Sequence, residues 1–510
     1  MGQNIVIVGA GVAGINAATK LVDNNFKGKI TIIDMGKDPY NRLPEEVMTG
    51  MLGAGGWSDG KLTYHTSIGG HLSKYCGEEK AMELMDQVIN NFKRFHPKPE
   101  EVQCSNPIEE PDFIKPYFGL RLFPVWHVGT DYLHEIGKNW YNYLVDNGVE
   151  FIWKSKVISI NFDVRVQECT FEDLNNNKFY NIKYDNLIFG VGKSGIDFGK
   201  QLAEEYNLPT ESKPVQIGVR FEAPQKHFQK LIDISYDFKL YRKFEDKGVS
   251  LRSFCTNNNA AYVALEETYG DYSYNGHAKK DPKFKNDMTN FGILMEIKGI
   301  NKPFDWSREL VEKVNKVDIT SDGKIGRFRP KYKAGLYYSP MIDSDFECNQ
   351  SYEDENGEFQ QYVGPVKVSY REKSKTSEGD WVKAHYINER ELDKVRKHFK
   401  GYFKYIEDFI EDMKKVFPTL KNDWGIYIPE VKYLSPEPLV NYKNLSLTEF
   451  PNVYFVGDAL SARGITVSGA QGTYVAESLI KNAKLCQEKK LLPNQTLKQE
   501  NLQKKRKMEV

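Results

Sequence analysis

The chain has 510 residues, with 70 basic and 70 acidic side chains and a formal net charge of zero at pH 7. This length predicts two to three domains, and the charge balance argues against a domain-wide surface for nucleic acids or membranes. No apolar run approaches the ~20 residues that span a bilayer, and no secretory signal is expected before the first strand. The six cysteines form no CxxC pair, so we predict neither a metal site nor a redox disulfide, and we expect a reducing, cytoplasmic setting.

The first 34 residues predict a βαβ unit that binds a dinucleotide. An apolar strand at residues 4–8 leads into a Gly-x-Gly-x-x-Gly turn and a helical pattern, and a second strand at residues 30–33 ends in Asp34. The glycines permit a tight turn, close approach of a pyrophosphate and close helix–strand packing, while the acid is placed to accept hydrogen bonds from an adenosine ribose. The binding residues predicted from this unit are Gly9, Gly11, Val12, Ala13, Gly14 and Asp34.

The middle of the chain predicts further elements in chain order. Apolar residues at helical spacing predict helices that begin near residues 79 and 130, and a long helix over about 390–417. Polar residues at 350–380 predict a flexible hairpin. Apolar runs predict strands at residues 151–160, 186–189, 215–221, 262–265 and 291–297.

A second motif lies near the C-terminus. An apolar strand at residues 451–456 ends in Gly457 and Asp458, and a turn that contains Gly469 precedes a helix. With both motifs in this order, the chain resembles the FAD-dependent oxidoreductases with a glutathione-reductase-like FAD domain. The resemblance implies that Asp458 binds the ribityl–phosphate portion of FAD, and that Val157 contacts the adenine side through its backbone.

The same resemblance implies an α/β fold, in which a Rossmann-like FAD-binding domain carries an inserted α+β substrate domain. The FAD domain is predicted to be discontinuous and to consist of residues 1–60, 125–204 and 441–485. The other predicted parts are a helical insertion at residues 61–124, the substrate domain at 205–440 and a flexible tail at 486–510.

A second Gly-x-Gly-x-x-Gly run follows the strand at residues 186–189. It could form a separate NAD(P)H site, or it could be a strand that returns to FAD with small residues at its tip. No strand ending in an acid follows ~20 residues later, as a βαβ unit would require. We therefore favour the return turn, in which Gly190 and Gly192 contact FAD, and the nicotinamide site stays open as the alternative.

Four short runs, at residues 55–62, 127–131, 190–195 and 217–225, resemble in this order a little-characterised branch of FAD-dependent dehydrogenases. The Ser-Asp-Gly-Lys-Leu run is the most specific of them. The branch usually carries a cysteine- and glycine-rich run after a Phe-Cys pair, whereas Cys255 is followed here by Thr-Asn-Asn-Asn. The branch does not name a substrate.

The glycine-rich loop before residue 62 contains candidates for the flavin site. Gly55, Gly56 and Ser58 could present backbone donors to the pyrophosphate or the flavin edge, with a plain packing turn as the alternative. Lys61 could contact flavin N5 or a substrate carboxylate, or it could be a solvated charge.

Candidate acid–base and anion-binding residues follow. His65, His71 and His127 could transfer protons because histidine titrates near neutrality, although a lone histidine can also be structural. Arg220 could bind an anionic substrate group, or it could form an internal ion pair. Arg463, between the Gly-Asp turn and the C-terminal helix, is a candidate of the same kind.

Three functions fit these motifs. We favour an FAD enzyme that takes hydride from a C–N or C–C bond of a small molecule. The second is a flavin reductase or monooxygenase with NAD(P)H as a transient electron donor. The third is a flavoprotein that binds or modifies a nucleic acid, against which the neutral net charge argues. We expect a small-molecule partner and no membrane or nucleic-acid partner, and the sequence does not predict an oligomeric state.

Overall fold

The N-terminal motif forms the centre of a five-stranded parallel sheet. The computed structural model describes residues 3–43, 46–108, 111–244, 248–317, 335–341, 347–353, 359–365, 384–434 and 436–485. The parallel strands, in spatial order, are Val453–Phe455, Asn186–Phe189, Gln3–Val8, Gly28–Ile33 and Glu150–Ile152. Ile5 and Ile7 at its centre are fully buried, as expected where both faces of a parallel sheet are covered. The α/β, Rossmann-like fold is confirmed.

Four helices contribute apolar faces to the core around this sheet. They are Val12–Asp23, Glu78–Phe95, Leu133–Asp146 and residues 465–485. Phe92 packs edge-on against Trp140 with ring centroids 5.3 Å apart, which joins two of these helices. The strands come from the three segments assigned to the FAD domain. The segment at 61–124 is not only helical, since its strand Gly119–Leu122 pairs with the large sheet described next.

An eight-stranded, mainly antiparallel sheet forms the second lobe. Its strands, in spatial order, are Ala384–Ile387, Gly335–Tyr338, Gly425–Lys432, Val215–Pro224, Met288–Ile297, Val249–Asn257, Phe238–Phe244 and Gly119–Leu122. Successive side chains alternate between its faces. Ile217 and Val219 are buried in an apolar core, while Gln216 and Arg220 occupy the alternate positions. The sheet therefore has one apolar face and one polar face.

Three helices share the apolar core of the large sheet, namely Pro303–Asn315, Glu389–His398 and Phe403–Val416. The last two replace the single helix predicted over 390–417. Lys400 and Gly401 separate them with φ angles of 51° and 86°, in the left-handed region that a helix cannot continue through. The predicted strand at 151–160 is likewise divided at Lys154, whose φ is 49°.

Smaller elements complete the described fold. One three-stranded sheet contains Ser155–Asn161, Glu168–Asp173 and Lys178–Lys183. Another contains Lys61–Thr63, Val125–His127 and Cys104–Ser105. Paired strands are Ala261–Thr268 with Asp271–Ala278, Glu347–Glu353 with Phe359–Pro365, and Thr210–Glu211 with Glu437–Pro438. Short helices are Leu72–Cys76, Ile196–Glu205 and Gln229–Ile232.

Parts of two predictions lie outside the described residues, namely positions 354–358 and 366–380 of the expected hairpin and the tail at 486–510. Among the residues that are described, no helix has the length and apolar character needed to cross a membrane.

Candidate functional site

A cavity of about 730 Å³ lies between the parallel sheet and the polar face of the large sheet. The glycine turns form one side, and charged side chains of the large sheet form the other. The structure places most of the predicted site residues in its wall. Those are Gly9, Gly11, Val12, Ala13, Asp34, Gly55, Ser58, Lys61, His71, Val157, Gly190, Gly192, Gly457, Asp458 and Arg463.

The three glycines of the first turn have different surroundings. Gly9 has a φ of 106°, which only glycine adopts readily. A Cβ atom at Gly14 would lie 2.3 Å from the carbonyl oxygen of Gly9, so this position requires glycine for helix–strand packing. A Cβ atom at Gly11 would meet no atom closer than 3.9 Å, and the helix Val12–Asp23 begins beside it with no side-chain cap. The free N–H groups at this end of the helix form a suitable site for a phosphate group.

Asp34 has a structural role that the sequence did not predict. Its Oδ2 accepts a hydrogen bond from the backbone N–H of Ala10 at 2.8 Å, and its Oδ1 accepts from Gly36 at 2.7 Å and Gly50 at 2.8 Å. The carboxylate therefore ties the first turn to the loop after the second strand. A hydrogen bond to ribose stays a prediction that would use the remaining acceptor capacity of this side chain.

The second glycine run belongs to the same cavity as the first. Gly190 donates its backbone N–H to Val8 at 2.9 Å, at the end of the neighbouring parallel strand. A Cβ atom at Gly9 would lie 2.6 Å from the carbonyl oxygen of Gly190, so the two turns are in direct contact. This arrangement agrees with a return turn.

The C-terminal turn supplies further polar groups. Gly457 has a φ of 67° and donates its N–H to Gln471 Oε1 at 2.8 Å, while Asp458 pairs with Arg463 at 3.0 Å. Within the described part of the chain, the buried hydroxyl oxygens of Ser461 and Thr466 have no hydrogen-bond partner. Both residues line the cavity. Open space at Gly11 together with unpartnered hydroxyls in the same cavity wall fits FAD, the cofactor that the motifs imply.

Lys61 is held by a buried network. Its Nζ lies 2.8 Å from Asp59 Oδ2 and 3.5 Å from Asp237 Oδ2, and it also donates to the carbonyl oxygen of Thr256. The ammonium group is thus surrounded by two carboxylates and a carbonyl oxygen. Burial opposes the charge, but the two carboxylates raise the pKa of Lys61 above its ordinary value. Burial would likewise raise the pKa of Asp59, yet Lys61 lowers it to about 2. Lys61 is thus a buried ion-pair residue and not a solvated charge.

Cys255 joins this network, although it was not predicted to be a site residue. Its thiol donates to Asp59 Oδ2 at 2.9 Å, and its φ of 54° lies in the left-handed region at an irregularity between Phe254 and Asn257. Burial, followed by the charge of Asp59, raises the pKa of the Cys255 thiol to about 11. The thiol therefore stays protonated near neutral pH and acts as a hydrogen-bond donor.

Two predicted acid–base residues do not line the cavity. His127 Nε2 lies 2.9 Å from the carbonyl oxygen of Asp59, and burial lowers the pKa of His127 to about 4. The ring is therefore neutral near pH 7 and supports the Asp59 loop. His65 is bonded to Ser67, with its Nδ1 3.0 Å from the hydroxyl oxygen.

Arg220 is enclosed behind the cavity wall. Its guanidinium lies 3.4 Å from the carboxylate of Glu430. The Nε–H group donates to Asn290 Oδ1 at 2.9 Å, and an Nη2–H group donates to the carbonyl oxygen of Cys255 at 2.7 Å. A Cβ atom at Gly276 would lie 1.6 Å from Arg220 Nη2, so the hairpin that carries Gly276 packs directly on it. The expectation that Arg220 binds a substrate anion is corrected, because its internal ion pair leaves it no access.

Two predicted glycines also serve packing. A Cβ atom at Gly56 would lie 2.9 Å from Arg42 Nη1, and one at Gly469 would lie 2.8 Å from Val88. Neither residue lines the cavity. Among the described residues, no group of three or more His, Cys, Asp or Glu side chains is arranged to hold a metal ion.

Charged residues on the polar face of the large sheet were not predicted from the sequence. The cavity-lining members are Lys239, Arg252, Glu296, Glu430 and Lys432. The alternation of polar and apolar residues along each strand indicates that such a face exists, but it does not show that the strands bring these side chains to one cavity.

Comparison with known proteins adds a family match. Residues 3–212 match the model of the pyridine nucleotide-disulphide oxidoreductase family. A curated relative from Clostridium beijerinckii (strain ATCC 51743 / NCIMB 8052), described only as an uncharacterized protein, is 26% identical over 302 residues, which cover 53% of this chain and 48% of the relative. The chain thus spans about half the length of the curated relative that it matches.

Solved structures share little sequence with the chain. Glycine oxidase from Bacillus cereus ATCC 14579 is 11% identical with a TM-score of 0.38, and covers 94% of this chain and 95% of its own. L-proline dehydrogenase from P. horikoshii is 12% identical with a TM-score of 0.38, and the match covers 94% of each chain. At these TM-scores, neither likeness supports a conclusion. Residues 3–212 are thus similar to the pyridine nucleotide-disulphide oxidoreductase family, and the parallel sheet with its glycine turns agrees with a Rossmann-like fold.

Proposed function

We propose that the chain transfers hydride between FAD and a C–N or C–C bond of a small molecule. The observation that carries this proposal is the single cavity, which joins the glycine turns to the charged face of a second sheet. Such a cavity gives a dinucleotide and a substrate adjoining space. FAD supplies the redox chemistry when bound, because its N5 atom accepts or donates hydride, whereas the protein supplies binding and orientation.

Named residues of the two turns would hold the cofactor. The N–H groups beside Gly11 would bind the pyrophosphate, since a helix N-terminus attracts anions. Asp458 and the unpartnered hydroxyls of Ser461 and Thr466 would bind polar groups of the ribityl chain or the flavin. Val157 would meet the adenine side, as the family resemblance implies.

The network around Lys61 would position the reacting groups. Its two buried carboxylate partners keep Lys61 charged and fixed at the cavity wall. A fixed charge in a water-poor site stabilises an electron-rich group nearby without reorganising. We assign Lys61 a positioning and electrostatic role, because Asp59 and Asp237 pair with it and Thr256 accepts its hydrogen bond.

The route of electrons and the cellular setting are part of the proposal. Gly190 and Gly192 line the same cavity as Gly9, so an NAD(P)H donor would have to share the space of FAD and substrate. This favours reduction by the substrate, with oxygen or a separate acceptor as oxidant. We also propose a reducing, cytoplasmic setting, in keeping with the free thiols of Cys76, Cys104, Cys169 and Cys255.

The visible spectrum of the purified protein under nitrogen tests this function. We expect flavin bands that persist with NADH or NADPH and bleach with a suitable amine, amino acid or saturated acid. Fast bleaching by NADPH or NADH would instead support the reductase or monooxygenase alternative. Absence of flavin after reconstitution with FAD would refute the proposal.

A further inference from the structure

Three basic side chains from three strands of the large sheet meet in the cavity wall. They are Lys239, Arg252 and Lys432, which we call the cationic cluster. All three lie on the polar face of the sheet. The aromatic ring of Phe254 lies among them, with Lys432 Nζ 3.0 Å and Lys239 Nζ 5.3 Å from its centroid.

The two lysines of the cluster are buried without an acidic partner. Lys239 is 6% exposed and Lys432 is 8% exposed. Apart from ring contacts, the side chain of neither lysine forms a hydrogen bond or an ion pair with a residue that the structure describes. Both residues line the cavity.

Nearby carboxylates do not neutralise these charges because they have other partners. Asp237 pairs with Lys61 at 3.5 Å, and Glu430 pairs with Arg220 at 3.4 Å. Arg252 donates to Gln216 Oε1 at 3.0 Å, and the amide of Gln216 in turn donates to Glu296. The three basic side chains of the cluster therefore outnumber Glu296, which among these three carboxylates has no cationic partner within the described residues.

Unpaired charges in such a place are costly, which points to a missing anion. Transfer of an ammonium group out of water is unfavourable unless it is paired. Burial, reinforced by Arg252, Arg463 and Lys239 and opposed by Glu430, lowers the pKa of Lys432 well below its ordinary value. Burial also lowers the pKa of Lys239 and of Arg252. An anion in the cavity would remove this penalty and would form charge-assisted hydrogen bonds.

We propose that the cationic cluster binds the carboxylate of the substrate and so selects a small organic acid. This inference rests on the proposed function, because it places the anion in the cavity that would also hold FAD. A carboxylate suits the site better than a phosphate dianion, since Glu296 and Glu430 also line the cavity and repel a second negative charge.

Benzoate is a suitable probe, with benzamide as its neutral counterpart. We would titrate each into the FAD-bound protein and measure the dissociation constant from the flavin difference spectrum and by calorimetry. Benzoate should bind, benzamide should bind at least about tenfold more weakly, and phenyl phosphate should not bind more tightly than benzoate. One charge-assisted contact corresponds to roughly a tenfold to hundredfold change in affinity.

Variants connect the binding to the cluster. Lys239→Met and Lys432→Met should each weaken benzoate binding roughly tenfold to a hundredfold without changing FAD content. Both should also unfold at a higher temperature, because each removes an unpaired buried cation. Lys243→Met is the matched control, since this exposed lysine lies on the same strand as Lys239 outside the cavity wall, and it should change neither quantity. Lys432→Gln provides a second variant if the methionine variant does not fold.

The possible failures are distinguishable. A protein that holds FAD but binds benzoate and benzamide equally, or binds benzoate equally well in the cluster variants, would overturn the carboxylate site and leave the proposed function intact. Displacement of FAD by benzoate would show that the cluster serves the cofactor, and tighter binding of phenyl phosphate would overturn the choice of carboxylate. A protein without FAD would refute the proposed function, and calorimetry on that colourless protein would still test the cluster.

Discussion

Replacing Lys61 by methionine tests the buried network at the cavity wall. The side chains of Lys61 and Asp237 are 4% and 3% exposed, and Asp59 lies 2.8 Å from Lys61 Nζ. The variant leaves two buried carboxylates without their cation. Breaking a buried ion pair by removing one partner costs about 3–5 kcal/mol, so we expect a loss of this size in the free energy of unfolding at pH 8.

The loss should depend on pH with a definite sign. In the natural protein Lys61 lowers the pKa of Asp59 to about 2, so the stability that Asp59 contributes is present above its unfolded pKa and is lost as pH falls towards 2. Without Lys61, burial raises the pKa of Asp59, and its carboxylate then destabilises the folded state more as pH rises. The variant should therefore lose less stability at pH 5 than at pH 8.

Urea unfolding followed by tryptophan fluorescence at the two pH values measures this difference. The control is Lys200→Met, which removes an ion pair with Asp305 whose side chains are 26% and 50% exposed. Such a surface pair contributes only about 0–1 kcal/mol. A loss below about 1 kcal/mol for Lys61→Met, or a loss that does not vary with pH, would refute the assigned role of the network.

Three further variants test other parts of the site. Gly14→Ala places a Cβ atom 2.3 Å from the carbonyl oxygen of Gly9, so it should lower the free energy of unfolding by about 1–3 kcal/mol and reduce FAD occupancy. An unchanged thermal unfolding temperature would contradict this packing. Burial lowers the pKa of His127 from 6.5 to about 4, so the natural protein should lose stability as pH falls through that range. His127→Gln should lose less stability over the same range. Equal decreases in the thermal unfolding temperature of the two proteins between pH 7 and pH 4.5 would contradict this. Arg220→Met leaves Glu430 unpaired and should lower the free energy of unfolding by about 3–5 kcal/mol. The double variant Arg220→Met/Glu430→Gln should recover part of this stability. Additive losses in urea unfolding would contradict the ion pair.

The nucleotide-binding half of the site could be predicted because its signals are local. The turn around Gly9 requires a positive φ and close packing, and only glycine meets both requirements readily. The glycines therefore recur at a fixed spacing that can be recognised in the sequence. Residues 186–189 were predicted as a strand because they are apolar and precede small residues, and the structure forms Asn186–Phe189. Boundaries were less predictable where single residues with positive φ, such as Lys154 and Lys400, interrupt an otherwise continuous pattern.

The charged side of the cavity could not be predicted because its signals are not local. Lys239, Arg252 and Lys432 lie on separate strands, and their meeting depends on strand register and sheet order. Arg220 was predicted either to bind a substrate anion or to form an internal ion pair, and only the packing of the hairpin that carries Gly276 shows that it is enclosed. Sequence patterns indicate which face is polar, whereas side-chain partners depend on tertiary packing.

The FAD content of the purified protein shows most directly whether the cavity holds FAD at the first glycine turn. A Cβ atom at Gly11 would meet no atom closer than 3.9 Å, so Gly11→Leu should fold normally and fill the space of the cofactor. After reconstitution, we predict about one FAD per chain in the natural protein and little in Gly11→Leu, with the same far-ultraviolet circular dichroism for both. A natural protein that binds no FAD, or a Gly11→Leu variant that retains it, would contradict the account.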